Sequence, residues 1–187
     1  MQLIGNKNKE ALKMLYKRYE IRIFNFVLRH TGSREIAQEL IQETFTRVWF
    51  AAHTFDQKMG NFKAWIYTIA LNLTRNEMSK KEYSYHFLDT EKINDFHDQS
   101  QLAESPSPNH ILEQNELKDS IVRALGKLKS NLREVIIMKN FQHLKFREIA
   151  EASKLPESTL KARYHRAIDQ LKKDLITAED IHHVWNE

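Results

Sequence analysis

Thr159, Lys161, Arg163, His165 and Arg166 place three long cations, an imidazole and a hydroxyl on one side of a segment. Its other side repeats Leu160, Tyr164, Ile168 and Leu171 at helical spacing. A guanidinium or ammonium held out from a helix can neutralise phosphates or fork onto the acceptor edge of guanine, which is how side chains distinguish base pairs in the major groove. Upstream, Ile149 and Ala150 form the inward side of a second short helical stretch. Leu155 plugs the connection, and Pro156 suits the first turn of the cation-bearing helix. Residues 146–173 are therefore predicted to be two helices around a tight turn, the arrangement that sets a recognition helix into a groove.

A second set of groups lies between residues 55 and 81, where Phe62, Trp65, Asn72, Arg75, Lys80 and Lys81 mix aromatic surface, amide and cations. Splayed bases stack on aromatic faces for roughly 1–3 kcal/mol each, with cations following the backbone. Trp65 also falls on the inward stripe of its helix, so core packing competes with base stacking as its role. A third set, Glu39, Gln42 and Glu43, shares one outward helical face, because residues four apart lie one above the other. Such a face suits a basic partner helix.

The elements carrying these groups are helical. The chain of 187 residues has only 4 Gly and 3 Pro, which favours an all-α fold. From about Lys9 to His30, Leu12, Leu15, Tyr16, Tyr19, Ile23, Phe26 and Val27 form one stripe, stopped at Thr31-Gly32. Ser33 is a good N-cap for a second helix with Ile36, Ala37, Leu40, Ile41, Phe45, Val48 and Trp49 inward. After the break FDQKMG, a third helix starts near Asn61 and is apolar over a wide arc. A helix over Ile111 to Lys129 comes later, then one capped at Asn131 with Glu134 three residues on, then the helix-turn-helix.

Charge divides the chain. Residues 1–81 hold 14 Lys/Arg against 7 Asp/Glu and residues 117–175 repeat those counts, while residues 82–116 hold one Lys and 8 acids. Two basic blocks joined by an acidic strap ending in Ser105-Pro106-Ser107-Pro108 suggest two surfaces for a polyanion and a connector that stays off it. The expected organisation is two small helical domains, 1–81 and 111–176, joined by an acidic flexible linker, 82–110, with a polar tail at 177–187. Zero Cys excludes disulfides, thiolate metal sites and Cys nucleophiles. No Gly-rich phosphate loop or HExxH is present, and His182 and His183 are better explained as part of a polar tail than as metal ligands. No catalytic residue, metal or cofactor is expected, nor any membrane insertion, since no apolar run approaches about 18 residues. A cytoplasmic protein is expected.

Taken together, LYKRY at 15–19, IAQELIQETFTRVW at 36–49, FKAWIYTIALNLTRN at 62–76, LKSNLREVIIMKNFQHLKFREIA and STLKARYHRAIDQLKK resemble, in order, regions two and four of the extracytoplasmic-function sigma factors. These are promoter-specificity subunits of bacterial RNA polymerase. The resemblance implies that Glu39, Gln42 and Glu43, with Phe45 and Trp49 shaping the surface, bind core polymerase. It also implies that the loop from Asp56 through Lys58 to Asn61 receives a flipped base of the minus-ten element, with Phe62, Trp65, Asn72, Arg75, Lys80 and Lys81 flanking the melted strand. Lys161, Ala162, His165 and Arg166 would meet base edges of the minus-thirty-five element, and Thr159 and Arg163 mainly phosphates. Partners implied are core polymerase, promoter DNA as duplex and as melted strand, and, as an open question, an anti-sigma factor.

Departures occur at Lys154 and Ser158, where the family usually has Gly, and at Ser153, where an apolar residue is usual. A non-Gly residue at positive φ costs on the order of 1 kcal/mol, so the turn at Lys154 is expected to be strained or differently shaped. The linker must also reach. Promoter elements two helical turns apart are separated by roughly 70 Å, against about 30 Å for a relaxed chain of this length and about 100 Å for an extended one. The competing readings are a one-component helix-turn-helix regulator that binds promoters without polymerase, an adaptor that only sequesters polymerase, and, least supported, an enzyme.

Overall fold

The computed structural model describes residues 1–56, 58, 60–80 and 120–174. The proposed linker, the start of the helix expected at Ile111, Lys81 and the tail lie outside the described residues.

Among the described residues the fold is all helical. A single turn, α1 (Gln2–Gly5), precedes α2 (Lys9–Thr31). Asn8 caps α2 by accepting from Ala11 N at 2.9 Å, and Gly32 ends it in the left-handed conformation, φ 67°, with its N–H on Leu28 O. Helix α3 (Arg34–Ala51) is capped by Ser33 Oγ, which accepts from Ile36 N. A 3-10 turn, Ala52–Thr54, and a short loop lead to α4 (Phe62–Ser79), capped by Asn61 Oδ1 on Lys63 N. The stop expected at Gly32, the cap expected at Ser33 and the helix start expected near Asn61 are those observed. The stripe of α4 is as broad as expected, with Ile66, Tyr67, Ala70 and Leu71 all fully buried.

The second block comprises α5 (120–127), α6 (Ser130–Ile136), α7 (Phe146–Ser153) and α8 (Glu157–Asp174). Helix α6 continues into a wider π-type turn over Ile137–Phe141, where Gln142 N reaches back five residues to Ile137 O. The cap expected at Asn131 is not formed. Lys129 is the N-cap residue, without a side-chain bond, and Asn131 lies inside the helix. Glu134 cannot complete a capping box because its carboxylate, 7% exposed, is engaged by Arg75 of α4. The guanidinium fork gives this carboxylate two parallel charge-assisted bonds, and so engaged it does not turn back to the helix start.

Sequence left open how the two blocks sit relative to one another. In the structure they share a core: Ile23, Val27, Tyr67 and Leu71 of the first block pack in one cluster with Val135, Met138, Leu144, Ile149 and Leu160 of the second block. A smaller cluster, Ala124, Leu125, Leu128, Leu132, Ala167 and Leu171, ties α5 and α6 to α8.

Candidate nucleic-acid and polymerase interfaces

On the recognition side, α7 ends at Lys154, whose φ 60° and ψ 34° are left-handed. The turn thus keeps the geometry that glycine would favour and places a lysine in it. Ser153 is buried by donating its hydroxyl back to Ile149 O at 2.7 Å, which is how a polar residue occupies an otherwise apolar position. Leu160, Ala167 and Leu171 bury one side of α8, while Tyr164 and Ile168 are half-buried beside them. Lys161, Ala162, His165 and Arg166 are exposed; Thr159 and Arg163 are half-buried at the flank. Lys161 lies 3.9 Å from Glu157 and 5.9 Å from the Phe146 ring, contacts weak enough for water or phosphate to replace.

On α3, Glu39 and Gln42 are exposed, and Glu43 is half-buried in a 2.7 Å pair with Arg47 one turn on. Phe45 is not on this surface. It is 5% exposed and packs against Tyr16 with ring centroids 4.7 Å apart, so it holds α3 to α2 from inside. Trp49 is half-buried, with Lys7 Nζ 4.9 Å from its ring centre and donating to its carbonyl at 3.2 Å. Sequence reasoning missed Lys7 and the neighbouring Phe50, which is 65% exposed. Lys7 lies in the turn between α1 and α2 and Phe50 at the end of α3, so no local pattern in the sequence pointed to the pair.

The strand-capture candidates do not all face solvent. Phe62 and Trp65 stand half-buried in an aromatic group with Phe55, centroids 5.5 to 5.9 Å apart, and Tyr19 meets Phe62 edge-on. The group lies beside an open groove of about 1650 Å³ lined by Asp56, Lys58 and Asn61 on one wall and Arg147, Glu148 and Glu151 on the other. Asp56 Oδ1 accepts from Lys58 N at 2.8 Å and shapes this loop. Asn72 and Lys80 are exposed, the latter paired with Glu77 at 3.0 Å.

Asn61 and Arg75, by contrast, are engaged across the blocks. Asn61 Nδ2 donates to Glu148 Oε1 at 2.8 Å, and Arg75 Nε and Nη2 donate to Glu134 at 3.0 and 2.8 Å. Lys63 Nζ donates to the carbonyl of His143 at 3.2 Å, and burial lowers the pKa of this ammonium despite the opposing pull of Glu148. Deeper in the seam, Arg133 Nη1 donates to His30 O at 3.2 Å and Tyr67 Oη to Gln142 Oε1 at 2.5 Å. Burial raises the Tyr67 hydroxyl well above its ordinary range, so it remains a donor. Charged residues Arg133 and Glu134 inside the apolar run LREVIIM were the sequence signal for this buried polar seam, because a buried charge requires a partner.

Residues 15–82 match the Sigma-70 region 2 family and residues 118–171 the Sigma-70 region 4 family. Over 174 residues the chain is 30% identical to the ECF RNA polymerase sigma factor SigW of Bacillus subtilis (strain 168), covering 90% of each chain. It is 28% identical to the RNA polymerase sigma factor YlaC of the same organism, covering 93% of this chain and 97% of that one. Its fold is similar to the sigma factor RpoE solved in complex with the anti-sigma factor NepR from Bartonella quintana, with TM-score 0.66, 21% identity and coverage of 90% and 99%. It is also similar to CnrH in complex with the cytosolic domain of CnrY, with TM-score 0.67, 21% identity and 93% of each chain covered. No described helix is long and apolar enough to cross a membrane. Two family matches in the expected order, together with a relative this similar along nine-tenths of its length, show that the chain belongs to the ECF sigma factors of RNA polymerase.

Proposed function

We propose that this protein binds core RNA polymerase in the cytoplasm, brings it to a defined set of promoters and assists strand opening, without covalent chemistry of its own. The observation that carries this reading is α8: its Leu160, Ala167 and Leu171 are anchored in the core while Lys161, Ala162, His165 and Arg166 stand exposed together on a helix-turn-helix. That is the arrangement needed for a helix to enter the major groove, with Arg166 forking onto guanine and Ala162 against a thymine methyl. The exposed Glu39 and Gln42, with Glu43 beside them, supply an acidic face for a basic helix of polymerase. The sigma factor RpoE, similar in fold, was solved in complex with the anti-sigma factor NepR, which supports the same class of protein as a partner here.

Run-off transcription with core polymerase and a promoter library tests the reading. Transcripts from a discrete promoter class, absent without the protein, are expected. Tight, sequence-specific duplex binding by the free protein combined with no transcription in the presence of core polymerase would instead establish a one-component regulator.

A further inference from the structure

An apolar side chain alone on a surface needs no partner to explain it, but Phe50, 65% exposed at the end of α3, is held in place by its surroundings. The last carbonyls of a helix are short of intrahelical donors, and here side chains take three in succession. Lys7 Nζ donates to Trp49 O at 3.2 Å, His53 Nδ1 to Phe50 O at 2.9 Å and Thr54 Oγ1 to Ala51 O at 2.7 Å. Lys7 also touches the rings. Its ammonium lies 4.9 Å from the ring centre of Trp49 and 5.2 Å from that of Phe50, within cation–π range of both. It does so from a left-handed backbone, φ 61°, in the turn between α1 and α2, a conformation that costs a non-glycine residue and persists where the surroundings impose it.

Helical spacing puts this ring in line with the acidic face. Glu39, Glu43, Thr46 and Phe50 follow one another at steps of four, three and four, which keeps them on one side of α3 over about 16 Å. We propose, resting on the assignment of this face to core polymerase above, that Phe50 is its apolar anchor and that Lys7 is a positioning residue that holds the ring outward. The partner it fits is a helical surface of polymerase with cations opposite Glu39 and Glu43 and an apolar pocket two turns further on. An aromatic seated in such a pocket carries a disproportionate share of the binding energy, while the charges beside it set partner and register. Met14, 74% exposed, has no such setting: its helical neighbours on α2 are Lys13, Lys17 and Arg18.

The test uses purified core polymerase and full-length wild type labelled at its C-terminus, displaced by unlabelled variants. Phe50→Ala and Phe50→Gln should each bind at least about tenfold more weakly than wild type, with helical content and melting temperature retained. Met14→Ala should bind as wild type does. Lys7→Gly, which keeps the left-handed turn without the ammonium, should weaken binding about threefold in the presence of the Phe50 ring and not at all in Phe50→Ala, and Lys7→Arg should restore wild-type affinity.

A loss in Phe50→Ala no larger than that in Met14→Ala would overturn the anchor. So would a dimer of the free protein that Phe50→Ala abolishes while polymerase affinity is unchanged, which would assign the ring to a second copy. An equal effect of Lys7→Gly with and without the ring would overturn the positioning role of Lys7. Wild type that binds core polymerase and gives run-off transcripts alongside any of those results removes this inference alone, whereas wild type that does neither removes the polymerase reading beneath it.

Discussion

Tyr67 of α4 donates its hydroxyl to Gln142 Oε1, just past the π-type turn, across a seam in which Tyr67 is fully buried and Gln142 is 6% exposed, joining residues 75 apart in sequence. Tyr67→Phe leaves the Gln142 oxygen buried without its donor and should cost about 1–3 kcal/mol in urea unfolding. Adding Gln142→Leu should recover most of that loss, since two apolar partners leave nothing unsatisfied. Full additivity of the two substitutions would show that the side chains are not coupled.

His30 gives the fold a dependence on pH. Its ring is fully buried against Phe26, Nδ1 donates to Phe26 O at 2.8 Å, and Nε2 has no hydrogen-bond partner. Burial, then the nearby Arg133, Arg75 and Arg29, lower its pKa to about 4, with only the bond to Phe26 O acting the other way. The unfolded chain takes up this proton near pH 6.5 and the folded chain only near 4, so the stabilisation is complete above 6.5 and declines as pH falls between those values. The slope should approach about 1.4 kcal/mol per pH unit, for a loss of ~2 kcal/mol by pH 5. Chemical denaturation at pH 7 and pH 5 should show this loss in wild type and a flatter profile in His30→Gln; parallel profiles would clear His30 of the effect.

Lys154 carries left-handed backbone geometry without being glycine. Lys154→Gly should therefore raise stability by about 0.5–1 kcal/mol, the strain relieved exceeding the entropy lost by the more flexible unfolded chain. Duplex affinity measured on the isolated upstream element should change little, because the turn already has the shape that Gly would adopt. A stability decrease would mean that the lysine side chain supports the turn.

What could be read from sequence was what is decided locally. Gly32, Ser33 and Asn61 act on backbone groups no more than four residues away, and their roles follow from residue type and position. Lys154 stands out for the same reason: only one backbone conformation closes that turn. Asn131 and Glu134 have every local mark of a capping box, and it does not form because the competing partner, Arg75, is 59 residues upstream. The helical stripe placed Phe45 inward, as it is, and only the resemblance put it beside the polymerase-binding surface. The docking of the two blocks is the extreme case. No short-range pattern encodes which carboxylate meets Asn61, and an acidic linker suggests uncoupled domains where the described residues form one packed body.

Reversing the acidic face of α3 should separate binding from folding. Glu39→Lys with Glu43→Lys removes a half-exposed surface Glu43–Arg47 pair of little energetic consequence, so helical content should hold and stability fall by less than ~1 kcal/mol. Affinity for core polymerase should drop by at least tenfold and become less sensitive to salt, as expected when complementary charges are replaced by repelling ones. Wild-type affinity in the folded double variant would move the polymerase contact elsewhere, with the exposed Phe50 and the Lys7–Trp49 stack as the next surface to alter.

Two exposed residues allow the two promoter elements to be assigned separately. Arg166→Ala should lose a forked contact in the upstream major groove, costing roughly 1–3 kcal/mol in duplex recognition and relaxing specificity at one position, while leaving strand opening intact once polymerase is bound. Asn72, exposed on α4 and outside the contacts that tie the blocks together, should behave in the opposite way. Its replacement by Ala spares closed-complex formation and lowers the yield of open complexes, because its target exists only after the strands part. Permanganate footprinting on duplex and on pre-melted bubble templates reads both effects. The bubble should relieve the opening defect of Asn72→Ala and leave the upstream defect of Arg166→Ala untouched. If Arg166→Ala blocked only opening and Asn72→Ala weakened only duplex binding, the blocks would have to be exchanged between the elements.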